Sequence, residues 1–342
     1  MFIPARILFE KGSFNYEIGK QIYQKFITNK EVALIELQGN KIMEHIPGAT
    51  TPELYQAGKN TLVVGTWKGQ KFQTCKPSAH YQLPLLSGCI GHCQYCYLNT
   101  NLGNRPYIKI HVNVADILGQ AEQYLLERTP EITIFEGSAT SDPVPVEPYS
   151  TLLRKTIEFF GNSSHGRFRF VTKYTEIDSL LDLVHHGHTE IRFTLNTDSV
   201  IKNFENRTPS MAKRIDASIK VLQAGYPMGY LIAPVFLYEG WREEYQQLLL
   251  SLRDRLPKQL PHPLTFEIIS HRYTPRAKEV INDVFPDNVL PMSEEDRSYQ
   301  YGQFGYGKFV YPKEQLSEIS AFFQKEIASI FHAYDIEIKY II

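Results

Sequence analysis

Cysteine is scarce in this 342-residue chain: there are four, and three of them, Cys89, Cys93 and Cys96, fall within one short stretch. A disulfide framework spreads its cysteines in pairs, so this pattern excludes one and points to a metal site in a reducing compartment. An excess of charge of one sign is lacking too, since 36 Lys and Arg face 37 Asp and Glu for a formal net charge of −1. That balance excludes wholesale coating of nucleic acid, so any DNA contact has to come from a local patch. Long apolar runs are missing as well. The opening "MFIPARILFEKGSF" has no apolar core followed by a cleavage site, and no later run has the length of a bilayer crossing. A cytoplasmic protein without membrane contact is expected. Aromatics, by contrast, are abundant, with 21 Tyr and 20 Phe.

The length suits one large core or about two domains. Residues 1–74 read as an α/β extension, with apolar "RILFE", helical "YEIGKQIYQKFIT" and strand-like "VALIEL". From residue 75 the chain becomes rhythmic. Short β-rich runs at "EITIFEG", "RFRFVTK", "EIRFTLN", "MGYLIAPVF" and "TFEIIS" alternate with helical segments such as "VADILGQAEQYLLER" and "WREEYQQLLLSLRDRL". With "LPLL" before the cysteines as a first strand, there are six strand–helix units. This alternation predicts an α/β fold with a parallel sheet, either doubly wound or a partial (β/α)6 barrel of TIM type. In both, chemistry gathers at the carboxyl ends of the strands. The barrel core is expected over 75–305. Residues 306–342 then supply the end of a glycine-rich β-hairpin, a helix and a last strand.

The stretch "GCIGHCQYC" spaces its cysteines Cys-x3-Cys-x2-Cys. One loop of this kind can wrap three corners of a cubane 4Fe–4S cluster and leave the fourth iron open for substrate. Gly88 and Gly91 let the backbone fold tightly there. The competing reading is a zinc loop completed by His92, Cys75 or His80, although zinc sites usually show a second matching pair. Cys75 reads as a small buried residue rather than a ligand.

The three-cysteine loop resembles that of the radical S-adenosylmethionine (SAM) superfamily. Together, "GCIGHCQYCYLNTNLGNRPYIKIHVN", the "SDP" after the next strand, "RFVTKYTEID" and "YGQFGYGKFVYP" resemble one of its families, the spore photoproduct lyases, from about residue 70 to 312. The resemblance implies a partial (β/α)6 barrel, a 4Fe–4S cluster on Cys89, Cys93 and Cys96, and SAM at the open iron. It implies DNA repair in spore-forming bacteria: a 5′-deoxyadenosyl radical reverts the 5-thyminyl-5,6-dihydrothymine lesion to two thymines. Damaged double-stranded DNA and a one-electron reductant such as flavodoxin or ferredoxin are the implied partners. A monomer in the spore core is the implied state.

SAM is a zwitterion, and at the strand ends Lys173 is placed for its carboxylate and Ser141 and Asp142 for its ammonium, the alternative for each being a capping or turn residue. Thr194 and Asn196 are placed for its carboxylate or ribose, and Ala233 for adenine. Tyr95 and Tyr97 are placed to relay hydrogen atoms. The family carries a hydrogen-donating cysteine where this chain has Ala139, and a methyl group cannot donate in its stead. A stranded product radical and faulty repair are therefore expected.

DNA contact is expected at a hairpin bearing Tyr301, Phe304, Tyr306 and Lys308, as a wedge or as a lid. Arg207, Lys213 and Arg214 are candidates for phosphate, against a solvated helix face. His185, His186 and His188 read as partners of a helix C-terminus. Two other readings stand beside lesion repair: a radical SAM enzyme acting on a small molecule or protein, and a zinc-stabilised DNA-binding protein.

Overall fold

The computed structural model describes residues 1–39, 41–301 and 307–342. They fall into two compact units, Met1–Ile90 with Leu102–Ile191, and Gly91–Asn101 with Arg192–Ile342.

In the first unit, strands Ala33–Glu36, Arg6–Phe9, Thr61–Gly65 and Ile108–His111 lie side by side and parallel. Ile7, Leu8, Leu62, Val63 and Val64 are all fully buried. Consecutive apolar residues are what a parallel strand covered on both faces requires. Helix Glu17–Phe26 buries Ile18, Ile22 and Phe26, spaced four apart on one face. Helix Thr51–Lys59 starts from a reciprocal cap between Thr50 and Glu53. The leading section is thus α/β, and Ile108–His111, read only as part of a motif, joins its sheet.

A second group in this unit carries the barrel-type rhythm. Strands Ala79–Gln82, Thr133–Glu136 and Gly166–Thr172 are parallel neighbours, and Thr74–Cys75 pairs antiparallel with the first of them. Helices Val114–Arg128 and Leu152–Gly161 follow in the connections. The first strand is "AHYQ" rather than "LPLL". The Leu83 amide still donates to the Glu136 carbonyl at 2.8 Å, but Pro84 has no N–H to continue the ladder.

Strand Thr189–Leu195 carries the chain into the second unit. There Met228–Val235, Leu264–Ser270 and the terminal Ile336–Ile341 run parallel in that order. Helices Met211–Gln223, Trp241–Arg253 and Lys313–Ile330 fill the connections. Ser298–Tyr301 and Gly307–Val310 form the expected antiparallel hairpin. Among the described residues no helix is long and apolar enough to cross a membrane.

Phe168 is fully buried and stacks on Phe160, ring centroids 5.6 Å apart. Phe168→Ala is expected to cost about 3–5 kcal/mol, read as a lowered midpoint in chemical denaturation.

Candidate active site

The loop after strand Thr133–Glu136 is bound to the residue before Cys89. The Gly88 amide donates to the Thr140 carbonyl at 3.0 Å, and Gly88 bridges Ser141 in parallel fashion. Gly88 has φ +83°, and a Cβ there would stand 2.4 Å from the Tyr107 carbonyl oxygen. Only glycine fits that turn. Lys59, almost fully buried, donates from Nζ to the Cys89 carbonyl at 2.7 Å. Its ammonium is thereby tied to the backbone of the first cysteine of the loop. Sequence reading missed Lys59, because it looks like the last residue of an ordinary helix.

Asp142 is buried, and its carboxylate is already engaged. It accepts from Thr172 Oγ1 at 2.8 Å, the Lys173 amide at 2.9 Å and the Val144 amide at 3.3 Å. Burial pushes the carboxyl up to about 6 against the pull of these donors. Asp142 therefore ties its loop to the end of strand Gly166–Thr172, where Lys173 follows. The neighbouring Ser141 hydroxyl is buried with no hydrogen-bond partner among the described residues. An orphaned hydroxyl of this kind marks a place where a ligand is wanted. A cavity of about 320 Å³ opens there, lined by Ser141, Thr140, Ala139, His111, Gln82 and Gln73. Burial holds His111 down to about 4, so the ring is neutral. Its Nδ1 lies 2.7 Å from the Pro84 carbonyl, which fixes that nitrogen as the donor and leaves Nε2 as an acceptor.

In the second unit, His92–Cys93 pairs antiparallel with Glu205–Asn206. The Asn99 amide donates to the Cys93 and Gln94 carbonyls at 3.1 and 3.2 Å. This holds the loop between the second and third cysteines in shape. Cys93 is buried, Cys89 and Cys96 are half-buried, and none of the four cysteines is in a disulfide. Among the described residues no three His, Cys, Asp or Glu side chains gather around a single point. A cubane places its thiolates on three separate irons and does not ask for that. The half-buried thiols, the glycine turn and the buried lysine fit a 4Fe–4S cluster.

Tyr95 is half-buried and donates to Glu205, which is itself paired with Arg214 at 2.6 Å, both fully buried. Burial, and then the Glu205 charge, raise the Tyr95 phenol well above its ordinary range. It therefore keeps its hydrogen. Tyr97 is 54% exposed. Both rings line a cavity of about 720 Å³ with Asn101, Arg272, Tyr273 and Lys308.

Several sequence readings change here. Arg214 is no phosphate contact: it is enclosed, donating also to the Pro209 and Thr194 carbonyls at 2.9 and 3.2 Å. Arg207 and Lys213 are exposed. Asn196 spends its side chain internally, donating to the Pro234 carbonyl at 2.8 Å and accepting from Tyr245 at 2.9 Å. It ties the end of its strand to the carboxyl end of strand Met228–Val235. Thr194 is buried, and Ala233 is half-buried. His80 accepts the Ile134 amide at 2.9 Å, a structural role. His188 lies 2.9 Å from the Phe160 carbonyl at the end of helix Leu152–Gly161, as expected for a helix-end partner. Cys75 is half-buried rather than enclosed. On the hairpin, Tyr301 is 80% exposed and Lys308 half-buried. Phe304 and Tyr306 lie outside the described residues.

The family model described as "Spore photoproduct lyase" matches residues 2–341. The chain is similar to the spore photoproduct lyase of Clostridium acetobutylicum, at 49% identity over 98% of both chains. It is also similar to that of Bacillus subtilis, at 44% identity over 92% of both. A solved spore photoproduct lyase complexed with dinucleoside spore photoproduct matches with TM-score 0.94 and 42% identity, over 99% of both chains. A double variant, one cysteine changed to alanine and one serine to cysteine, matches with TM-score 0.93 and 41% identity. It contains bound AdoMet (SAM) and dinucleoside spore photoproduct, and the match covers 100% of this chain and 99% of that one. The fold is the α/β partial barrel of these radical SAM proteins.

Two outcomes follow from the buried charges. Arg214→Met leaves Glu205 enclosed without its cation and is expected to cost about 3–5 kcal/mol in chemical denaturation. Asp142 titrates higher folded than unfolded, so its protonated form favours the folded state, and that favour is lost as pH rises toward about 6. Across pH 4–6 the wild type is expected to lose about 3 kcal/mol relative to Asp142→Asn, measured as the difference between their denaturation curves.

Proposed function

Because the chain belongs to the spore photoproduct lyase family, we propose that it reverts the spore photoproduct in DNA to two thymines by radical SAM chemistry. SAM, bound at the cluster, supplies the hydrogen-abstracting carbon radical that starts the reaction. Cys89, Cys93 and Cys96 hold the cluster, and Lys59 offsets its charge beside Cys89. The orphaned Ser141 hydroxyl takes the SAM ammonium and Lys173 the carboxylate, while Asp142 fixes the loop that carries Ser141. Thr194, Asn196 and Ala233 shape the strand ends for the rest of the cofactor. Tyr95, kept as a phenol by burial and by Glu205, stores a hydrogen atom for relay, and Tyr97 presents a second phenol at the same cavity.

Tyr299 and Tyr301 are exposed rings on the hairpin, 5.6 Å apart edge to face. Aromatic faces of this sort suit stacking on bases that have left the duplex. Damaged double-stranded DNA is the substrate, a flavodoxin or ferredoxin the electron source, and a monomer in the cytoplasm of the spore the working form.

The observation that carries this reading is a three-cysteine loop set in a fold that superposes along its length on proteins solved with AdoMet and the lesion. A further detail concerns Ala139. In the solved double variant the exchanged positions stand 64 residues apart, alanine following cysteine. In this chain Ala139 follows Cys75 by the same 64 residues.

The test is anaerobic incubation of the cluster-loaded protein with SAM, a reductant and dinucleoside spore photoproduct. Two thymine units and 5′-deoxyadenosine are expected, and Cys93→Ala is expected to abolish both together with the broad visible absorbance of the cluster. Cleavage of SAM with the lesion untouched would point instead to another substrate, and a colourless zinc protein would overturn the reading.

A further inference from the structure

The hairpin of Ser298–Tyr301 and Gly307–Val310 stands on two side chains that flank it, Arg297 before its first strand and Tyr311 after its second. The two meet as a cation on a ring face, with the guanidinium carbon 3.7 Å from the Tyr311 ring centre. An isolated two-stranded hairpin is marginally stable in water, so whatever fixes the direction of this one has to lie at its base.

Each foot is fastened to the end of a different parallel strand. Arg297 donates from Nη1 to the His271 carbonyl at 2.8 Å, just beyond strand Leu264–Ser270. Its Nη2 donates to the Pro291 carbonyl at 3.0 Å and stands 3.2 Å from His271 Nδ1. Burial, and then the Arg297 charge, hold His271 down to about 3, so the ring is neutral and its Nδ1 takes an arginine hydrogen. Tyr311 is buried, and its hydroxyl oxygen accepts the Leu237 amide at 3.0 Å, just beyond strand Met228–Val235. The second hairpin strand is gripped as well. The Tyr273 amide donates to the Phe309 carbonyl at 3.1 Å, and the Phe309 amide donates to the Tyr273 carbonyl at 2.7 Å. Phe309 stacks on Tyr273, ring centroids 5.3 Å apart, and meets Tyr299 edge to face at 5.0 Å. The fastening therefore reaches an exposed ring of the hairpin.

We propose that Arg297 is a positioning residue for duplex DNA: with Tyr311 it clamps the feet of the hairpin to two strand ends, and so holds Tyr299 and Tyr301 in place for the bases around a lesion. The proposal rests on the lesion-reversal reading above. Rings fixed in advance spare the complex the cost of ordering them on binding. That gain belongs to a duplex, whose bases have to be drawn out and stacked. A dinucleoside lesion has no flanking duplex and needs no such grip. The planar guanidinium matters as well as its charge, because three acceptors and a ring face are met by one rigid fork, which a lysine ammonium does not copy.

The test compares the parent with Arg297→Met and Arg297→Lys, each cluster-loaded and anaerobic with SAM and a reductant. Two substrates are used: dinucleoside spore photoproduct, and the same lesion within a duplex oligonucleotide. Arg297→Met is expected to raise KM for the duplex about tenfold, while kcat/KM for the dinucleoside stays within about twofold of the parent. Arg297→Lys keeps the charge and is expected to lose about fivefold on the duplex alone. Tyr311→Phe keeps the ring, frees the Leu237 amide and is expected to shift the duplex KM about threefold in the same direction, which covers a failure of the Arg297 variants to fold. Trypsin is expected to cut after Lys308 faster in Arg297→Met than in the parent, as loosened feet require. A lysine variant with the parent's duplex KM would make Arg297 a phosphate contact and overturn the assignment. Equal losses on both substrates, or none on the duplex, would overturn it too. A parent protein that leaves the lesion intact in both substrates would overturn lesion reversal itself, a different failure.

Discussion

Three thiolates would hold three irons of a cubane and leave the fourth corner open, and the site proposed for this chain turns on that opening. SAM bound at that corner would be a zwitterion, needing a cation, a hydrogen-bonding oxygen and little else nearby that is charged. Close to Cys89 the chain supplies a buried lysine on the backbone carbonyl and an orphaned serine hydroxyl on the paired loop. An enzyme working by radicals also has to keep its acids from reacting out of turn. Burial does this by holding hydrogens in place: Tyr95 stays a phenol and His111 a neutral ring.

Buried carboxylates recur as fasteners of loops and strand ends. Asp142 gathers Thr172, Lys173 and Val144; Glu136 gathers Ser78 and Ser138; Glu205 gathers Tyr95 and Arg214. Each accepts hydrogen bonds from two or more donors, which is what lets an ionisable group persist in a low-dielectric interior. Fixing a loop by a carboxylate leaves neighbouring side chains to serve chemistry. Ser141 beside Asp142 is the clearest instance.

Much of this was legible in the sequence, for definite physical reasons. Short runs rich in aromatic and β-branched residues stand out between helical stretches, so "RFRFVTK", "EIRFTLN" and "TFEIIS" fell within a residue or two of the observed strands. The cysteine loop was legible because metal ligation fixes spacing. The hidden part was what depends on partners far apart in the chain. Arg214 looked like a surface cation until its distant partner Thr194 and buried Glu205 enclosed it. Asp142 looked like a ligand until three donors claimed it. Lys59 gave no local signal at all. "LPLL" misled because its apolarity suits a strand while its proline does not.

The most direct measurement is electron–nuclear double resonance on the anaerobically reduced, cluster-loaded protein, with SAM carrying carbon-13 in its carboxylate. A carbon-13 coupling to the cluster spin is expected, because the open iron binds that group. An electron resonance signal unchanged by SAM, with no carbon-13 coupling, would contradict an iron left open for the cofactor.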